Sequence, residues 1–309
     1  MSGFLRYRHG GREVLGWGDE AGVTPVAPVL DAAGLPPVED LGELIAQGPA
    51  YRAAAVRALE ASAPRHALAE VELRAPLSPS AIICAGANFD DHLRETSRER
   101  ATEVEFFFVT PSSVVGPGAD VRMVEGFTKY DYEVELAIVI GSPARNVSLD
   151  DALSYVFGYT ILNDVSARDH QILLDDDGTS QGRFGAGKSF RDSSPIGPWV
   201  VPVEQLPDPG RLALRTTVDG ELRQNNTMES AIWGVAELVS YYSRWVTLQP
   251  GWVIACGTPG GPALGSDPEL RADPYERDDG VRRGAYVQPG QLVECTIESI
   301  GTLANRYVR

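Results

Sequence analysis

Apolar and polar positions alternate most cleanly between Phe127 and Gln171. From Asp131 to Ile140, Tyr132, Val134, Leu136, Ile138 and Ile140 fall on one face, and Asp131, Glu133 and Glu135 on the other. Period two over this length predicts a half-buried strand. The aromatic and β-branched run from Tyr155 to Asp164 predicts a second strand, ending in an acid. Upstream, Phe4–His9 and Arg12–Gly16 flank Gly10-Gly11, the pattern of a hairpin with a two-residue turn. Pro25–Pro37 reads as a connector, and Leu41–Ala46 and Tyr51–Ala61 as helices, the second stopping before Pro64. Pro76–Pro79 marks a boundary, so residues 1–75 are predicted to form a small N-terminal α/β accessory domain, and 76–309 the larger one.

Within the larger part, Ala81–Gly86 predicts a buried strand and Phe106–Pro111 a short aromatic one, with a turn at Gly116–Gly118. Trp199–Val203 predicts a strand, and Leu212–Val218 with Glu221–Arg223 a hairpin turning at Asp219-Gly220. Met228–Trp245 is predicted as the one long helix, with Ile232, Val235, Ala236, Val239 and Tyr242 at core spacing. Val253–Gly261 reads as a strand entering a glycine-rich turn, Asp175–Gly178 as a turn, and Asp267–Gly284 as a charged, flexible insertion. Leu292–Ile300 and Leu303–Val308 are closing strands.

Composition narrows the function classes. The net charge of −16 argues against nucleic acid or an anionic membrane as partner, and raises the need for a cation wherever acids cluster. No apolar run approaches the roughly 20 residues that span a bilayer. Met1–Gly16 lacks an apolar signal core. Cys84, Cys256 and Cys295 are scattered, without metal or disulfide spacing. A cytoplasmic protein is expected.

Three carboxylates stand out. Glu133 and Glu135 share a strand face, roughly 6.6 Å apart at about 3.3 Å per residue. Asp164 ends the next strand, where an acid is costly unless paired or ligating. Such oxygen donors suit Mg²⁺, Mn²⁺ or Ca²⁺ and not Zn²⁺, while the same spacing also describes a solvated strand face. If the chain turns helical after Asn88, His92 and Glu95 lie at i and i+3. A carboxylate there orients an imidazole and raises its basicity, as a water-activating base requires, although a surface ion pair has the same spacing. His9, His66 and His170 have no comparable acid.

Gly182–Ser189 matches the phosphate-loop pattern G-x-x-x-x-G-K-[ST]. That motif needs a buried strand before it and a helix after it. Here polar turn formers precede it, and Pro195, Gly197 and Pro198 follow. The stretch reads better as a mobile loop delivering the Lys188 amine to a pocket. An EF-hand starting at Asp175 fails, with Ser180 at its sixth position and Ala186 at its twelfth. The Gly257–Gly261 turn could bind a carboxylate through its amides and the Thr258 hydroxyl, or be a plain loop.

Taken in order, these pieces resemble the fumarylacetoacetate hydrolase superfamily. The carrying residues are Gly86–Phe89 with His92 and Glu95, Asp131–Leu136, Asn163–Asp169 with Gln171, Gly187–Phe190 with Pro195–Trp199, Gly220-Glu221 with Gln224, Leu248–Gly251, Gly257–Pro259 and Gly301–Leu303. They span roughly Ile82 to Val308. The resemblance implies an α+β, mostly β fold, a rolled β-sandwich catalytic domain, usually homodimeric. It implies Glu133, Glu135 and Asp164 as ligands of Mg²⁺ or Mn²⁺, with Ca²⁺ able to replace them in crystals. His92 and Glu95 match the family's base dyad, carried on a lid that orders with substrate, and Lys188 its active-site lysine. Asn88, Arg168, Gln171 and Thr258 match positions near metal and substrate.

The implied activity is hydrolysis of a carbon–carbon bond in a 1,3-dicarbonyl, acylpyruvate-like oxo-acid. The alternatives are a decarboxylase or isomerase of an enolisable oxo-acid, oxaloacetate-like or 2-hydroxyhepta-2,4-diene-1,7-dioate-like, or a non-catalytic binding protein on the same fold. Some positions depart from the pattern. Val109 replaces a common lysine, Trp252 a common aspartate, and Gly261-Pro262 a common Gly-Val-Gly, and the stretch from Gln171 to Lys188 is long. The missing cation at Val109 suggests a less anionic distal group on the substrate.

Overall fold

Gly10 and Gly11 take φ of 57° and 80°, which closes β1 (Gly3–His9) onto β2 (Arg12–Asp19) as the expected hairpin. The computed structural model describes residues 1–174, 180–270 and 285–309. The turn expected at Asp175–Gly178 and most of the Asp267–Gly284 insertion, from 271 on, lie outside these residues. β3 (Gly22–Pro25) extends the hairpin. The Pro25–Pro37 stretch is not a plain connector. It holds α1 (Val26–Ala32), which starts directly after the extended Pro25 and buries Val26 and Leu30 at i and i+4. The Asp40 side chain accepts the Glu43 amide at the start of α2 (Leu41–Ala46), and Pro49 opens α3 (Pro49–Glu60). β4 (Glu72–Arg74) returns to β1.

The remaining chain runs through β5 (Ile82–Gly86), α4 (Asp90–Glu95), β6 (Glu105–Val109), β7 (Val114–Val115), β8 (Val121–Arg122), β9 (Tyr130–Asp131), β10 (Val134–Ile140), β11 (Val156–Asn163) and β12 (Ser166–Ala167). It continues with α5 (Arg168–Gln171), β13 (Ile172–Leu174), β14 (Ser180–Gly182), α6 (Phe184–Lys188), β15 (Ser194–Pro202), β16 (Ala213–Val218) and β17 (Glu221–Thr227). Last come α7 (Val235–Trp245), β18 (Val253–Ala255), β19 (Leu292–Ile297) and β20 (Gly301–Val308). The predicted long helix is shorter than its pattern. Residues before Val235 are tied to Asn88 instead, through the Ile232 amide on its carbonyl and the Trp233 amide on its side chain.

One large sheet carries the order β3-β2-β1-β15-β11-β10-β18-β5-β6, and a second has β17-β16-β19-β20-β8. β10 sits inside the large sheet and is buried on both faces, which corrects the half-buried expectation. Leu136, Ile138 and Ile140 pack with Leu214, Val293 and Leu303 of the second sheet and with α7. On the opposite face, Ala137 and Val139 pack with Phe4, Leu30, Leu41 and Leu59 from the N-terminal segment. Residues 1–75 therefore join the large sheet through β1 and β15, and share its core. The architecture is α+β and mostly β, with sheets packed in layers and the N-terminal helices outside them. Among the described residues no helix is long and apolar enough to cross a membrane.

Candidate active site

The alternating strand breaks between β9 and β10, at Tyr132-Glu133. The break frees backbone groups inside the protein, and each needs a partner. Asn163 Oδ1 accepts the Glu133 amide at 3.0 Å, Gln224 Oε1 accepts the Val134 amide at 3.0 Å, and the Asp164 amide donates to the Glu133 carbonyl at 3.0 Å. These bonds lay the end of β11 beside the break. Glu133, Glu135 and Asp164 are all buried there, with one oxygen of each within 4.8 Å of the others.

Two buried cations face this cluster. Lys188 Nζ donates to Glu133 Oε2 and to Asp164 Oδ2, both at 2.6 Å. Arg168 donates through Nη2 to Glu133 Oε1, through Nε to Asp131 Oδ2 at 2.9 Å, and through Nη1 to Gln171 Oε1 at 2.8 Å. Burial would raise the Glu133 pKa, but Lys188 and Arg168 outweigh it and hold the carboxyl down at about 2. Burial pushes Asp164 up to about 6 against the pull of Lys188. Glu135 is raised well above the usual carboxylate range, by burial and by the neighbouring Asp164 and Glu133. Burial disfavours the charge on Lys188 and Arg168, yet the carboxylates win and raise both.

The balance of charge favours a further cation. Asp131, Glu133, Glu135 and Asp164 are matched by Lys188 and Arg168 alone among the described buried side chains that touch them. Asp164 Oδ1 is buried with no hydrogen-bond partner. A divalent ion on three hard oxygens would satisfy both the orphaned atom and the excess charge.

The glycine-rich turn after β18 does bind carboxylates, but they belong to the chain itself. Gly257 N donates to Glu135 Oε2 at 2.7 Å, and Gly261 N to Glu95 Oε2 at 2.8 Å. The amides of Ala263 and Leu264 hold Asp131 at 2.8 and 3.0 Å. Thr258 Oγ1 donates to the Val134 carbonyl at 3.0 Å and accepts from Gln224 Nε2 at 2.7 Å. One short segment thus fixes Glu135, Glu95 and Asp131 together.

α4 is helical as expected, and it places His92 Nδ1 at 3.9 Å from Glu95 Oε2. Glu95 is fully buried, and Gly265 leaves it room, since a Cβ there would lie 2.8 Å from the Glu95 Cβ. His92 Nδ1 has no hydrogen-bond partner. A cavity of about 580 Å³ opens between α4, the carboxylates and α6. His92, Glu133, Glu135, Asp164, Arg168, Gln171, Lys188 and Thr258 all line it. Asn88 does not. Its Nδ2 donates to the carbonyls of Trp233 and Cys256 at 3.0 and 2.7 Å, and its Oδ1 accepts the Trp233 amide at 2.8 Å. Those bonds tie the Asn88 side chain to the segment before α7 and to the end of β18, below α4. The Gly182–Ser189 stretch forms β14 and the short α6, and β15 follows where a phosphate loop needs a helix. Sequence reading missed Asp131 as the arginine's anchor, though it lies on the same alternating face, and missed the wall residues Phe107 and Phe184.

Such a fold and site define a mostly β protein with three buried carboxylates that could hold a metal ion beside a histidine–carboxylate pair. The family model for the fumarylacetoacetate hydrolase C-terminal region matches residues 81–308, and the chain belongs to that family. It is 37% identical over 246 residues to the oxaloacetate tautomerase YisK of Bacillus subtilis (strain 168), covering 78% of this chain and 74% of the relative. The fold matches the fumarylacetoacetate hydrolase of Exiguobacterium antarcticum at a TM-score of 0.78 and 31% identity, over 100% of this chain and 99% of the other. It also matches the fumarylpyruvate hydrolase of Pseudomonas aeruginosa, solved in complex with Mn²⁺ and pyruvate, at a TM-score of 0.63 and 30% identity, over 76% of this chain and 91% of that one. Relatives in the family are enzymes: hydrolases, isomerases and tautomerases.

Proposed function

We propose that the chain is a Mg²⁺- or Mn²⁺-dependent hydrolase that cleaves a carbon–carbon bond in an acylpyruvate-like 1,3-dicarbonyl acid. The observation that carries this reading is the meeting of three buried carboxylates, Lys188 and the His92–Glu95 pair around one cavity. Glu133, Glu135 and Asp164 would hold the ion. When bound, it supplies Lewis-acid polarisation of the substrate's oxo group. In support, a neighbour of the same fold is solved with Mn²⁺ and pyruvate.

Overall, R–CO–CH₂–CO–COO⁻ and water give R–COO⁻, pyruvate and one proton. Glu95 faces the His92 Nδ1 at 3.9 Å, and a small closure to hydrogen-bond distance would orient the ring and leave Nε2 to take a proton from water as its oxygen attacks the distal carbonyl carbon. The bond from that carbon to the CH₂ then breaks, and its electron pair leaves as the pyruvate enolate. Its CH₂ carbon recovers the proton from His92, while the acid product sheds its own. Two of the three Lys188 N–H donors go to Glu133 and Asp164, and the third is available to the developing enolate oxygen.

A second reading is tautomerisation, favoured by the 37% identity to an oxaloacetate tautomerase. It uses the same proton carriers without an attacking water. Turnover of an acylpyruvate with Mg²⁺ in ¹⁸O-water separates the two. Hydrolysis gives equal amounts of pyruvate and acid, with the label in the acid carboxylate. Keto–enol exchange without pyruvate would replace the first reading by the second.

A further inference from the structure

The cavity has two unlike halves. Its floor is the buried charged cluster. Away from the carboxylates one side of its wall is apolar: Phe107 on β6 and Phe184 on α6 stack with ring centroids 5.1 Å apart at 22°, and Ile172, Leu264 and Leu270 line the same space, while Thr96 and Ser97 line another side. Phe107 also lies under the Lys188 ammonium at 5.5 Å, so the aromatic pair begins where the charged floor ends. Besides Lys188 and Arg168, both spent on carboxylates, the one Lys or Arg lining the cavity among the described residues is Arg98. Its side chain is 40% exposed and lies 2.6 Å from Glu105. Val109, on the same strand face as Phe107, is buried in the apolar core and brings no cation.

A second carboxylate docked on this part of the wall would have to shed its water against rings and aliphatic side chains, with no buried cation left unpaired among the described lining residues to receive it. Such burial is costly, whereas a flat apolar group gains from offset stacking on the Phe107–Phe184 pair. The volume agrees: about 580 Å³ lies in the range of pockets for drug-sized ligands, far beyond a four-carbon diacid. Resting on the oxo-acid reading of the floor, we infer that the substrate carries a single carboxylate, held at the metal end, and a bulky flat apolar substituent, aryl or alkenyl, that docks on Phe107 and Phe184. The pair is a specificity device that selects against dicarboxylates.

Binding tests this apart from turnover. Mg²⁺-loaded protein is titrated by calorimetry with phenylpyruvate, which has one carboxylate and a phenyl group, and with 2-oxoglutarate, which has two carboxylates. The expected result is at least about tenfold tighter binding of phenylpyruvate. Phe184→Ala should remove most of that preference and leave pyruvate binding unchanged, which also shows that the variant is folded. Equal or tighter binding of the dicarboxylate, or loss of affinity for pyruvate and phenylpyruvate alike in Phe184→Ala, overturns the inference. Benzoylpyruvate turnover is followed on the same protein. Tight phenylpyruvate binding without any cleavage of benzoylpyruvate leaves the inference standing and removes the hydrolase reading instead.

Discussion

Glu135 is the residue whose surroundings say most about the metal. Its carboxyl is pushed up by burial and by the neighbouring Asp164 and Glu133, and is fixed by the Gly257 amide instead of by a hydrogen bond from a cation. A buried carboxylate without a cationic partner of its own is unfavourable unless an ion joins it. Glu135→Ala should therefore weaken Mg²⁺ and Mn²⁺ binding by more than the roughly 10–100-fold that loss of an outer-shell partner costs. Calorimetry decides this, and parent-like affinity in the variant would remove Glu135 from the ligand set. The residue types of the site were legible in sequence because hard ligands, an acid-flanked histidine and a lysine after glycines are chemically distinctive. Backbone amides are not. The glycines of Gly257–Gly261 pointed to carboxylate-binding amides but not to which carboxylates, and the Ala263 and Leu264 donors on Asp131 have no side-chain signature, nor does the folding back of Asn88 onto Trp233 and Cys256.

At the scale of elements, period two located β10 and β11 but could not tell a half-buried strand from one buried on both faces. The sign was present further along: the face that begins with Asp131, Glu133 and Glu135 continues with Ala137 and Val139, which no solvated face requires. The shortening of the α7 pattern was not legible, because a contact with Asn88 far away in sequence decides it. Packing between α5 and α6 makes the sharpest prediction at this scale. A Cβ at Gly187 would lie 2.2 Å from the Gln171 Cβ and 2.5 Å from its Cα, so Gly187→Ala must drive the two helices apart. Lys188 is the next residue. Overpacking of this kind costs about 1–3 kcal/mol, and a displacement near 1 Å at a reacting group can cost on the order of 10²-fold in rate. Thermal melting and steady-state kinetics of Gly187→Ala should show both losses. A variant with parent activity and stability would mean that the α5–α6 contact does not position the amine.

Across the whole molecule, the N-terminal segment and the site are parts of one packing problem. Pro76–Pro79 is legible as a boundary in sequence, and the family match begins just beyond it. Even so, β1 hydrogen-bonds to β15, and Leu30, Leu41 and Leu59 cover the sheet near whose end the three clustered carboxylates lie. A chain starting at residue 76 would bare Ala137, Val139, Phe157 and Val200. Exposed patches of that kind lead to aggregation, so this chain should be insoluble or lack a cooperative melt. A soluble 76–309 chain with parent metal affinity would show the segment to be dispensable. The central claim is that His92, oriented by buried Glu95, activates water beside a metal held by Glu133, Glu135 and Asp164. Its most direct test is His92→Ala, with acylpyruvate cleavage and Mn²⁺ affinity measured on the same protein. The account predicts a rate loss of about 10²–10⁴-fold with metal affinity retained. Cleavage within a few-fold of the parent, giving the same products, would contradict it.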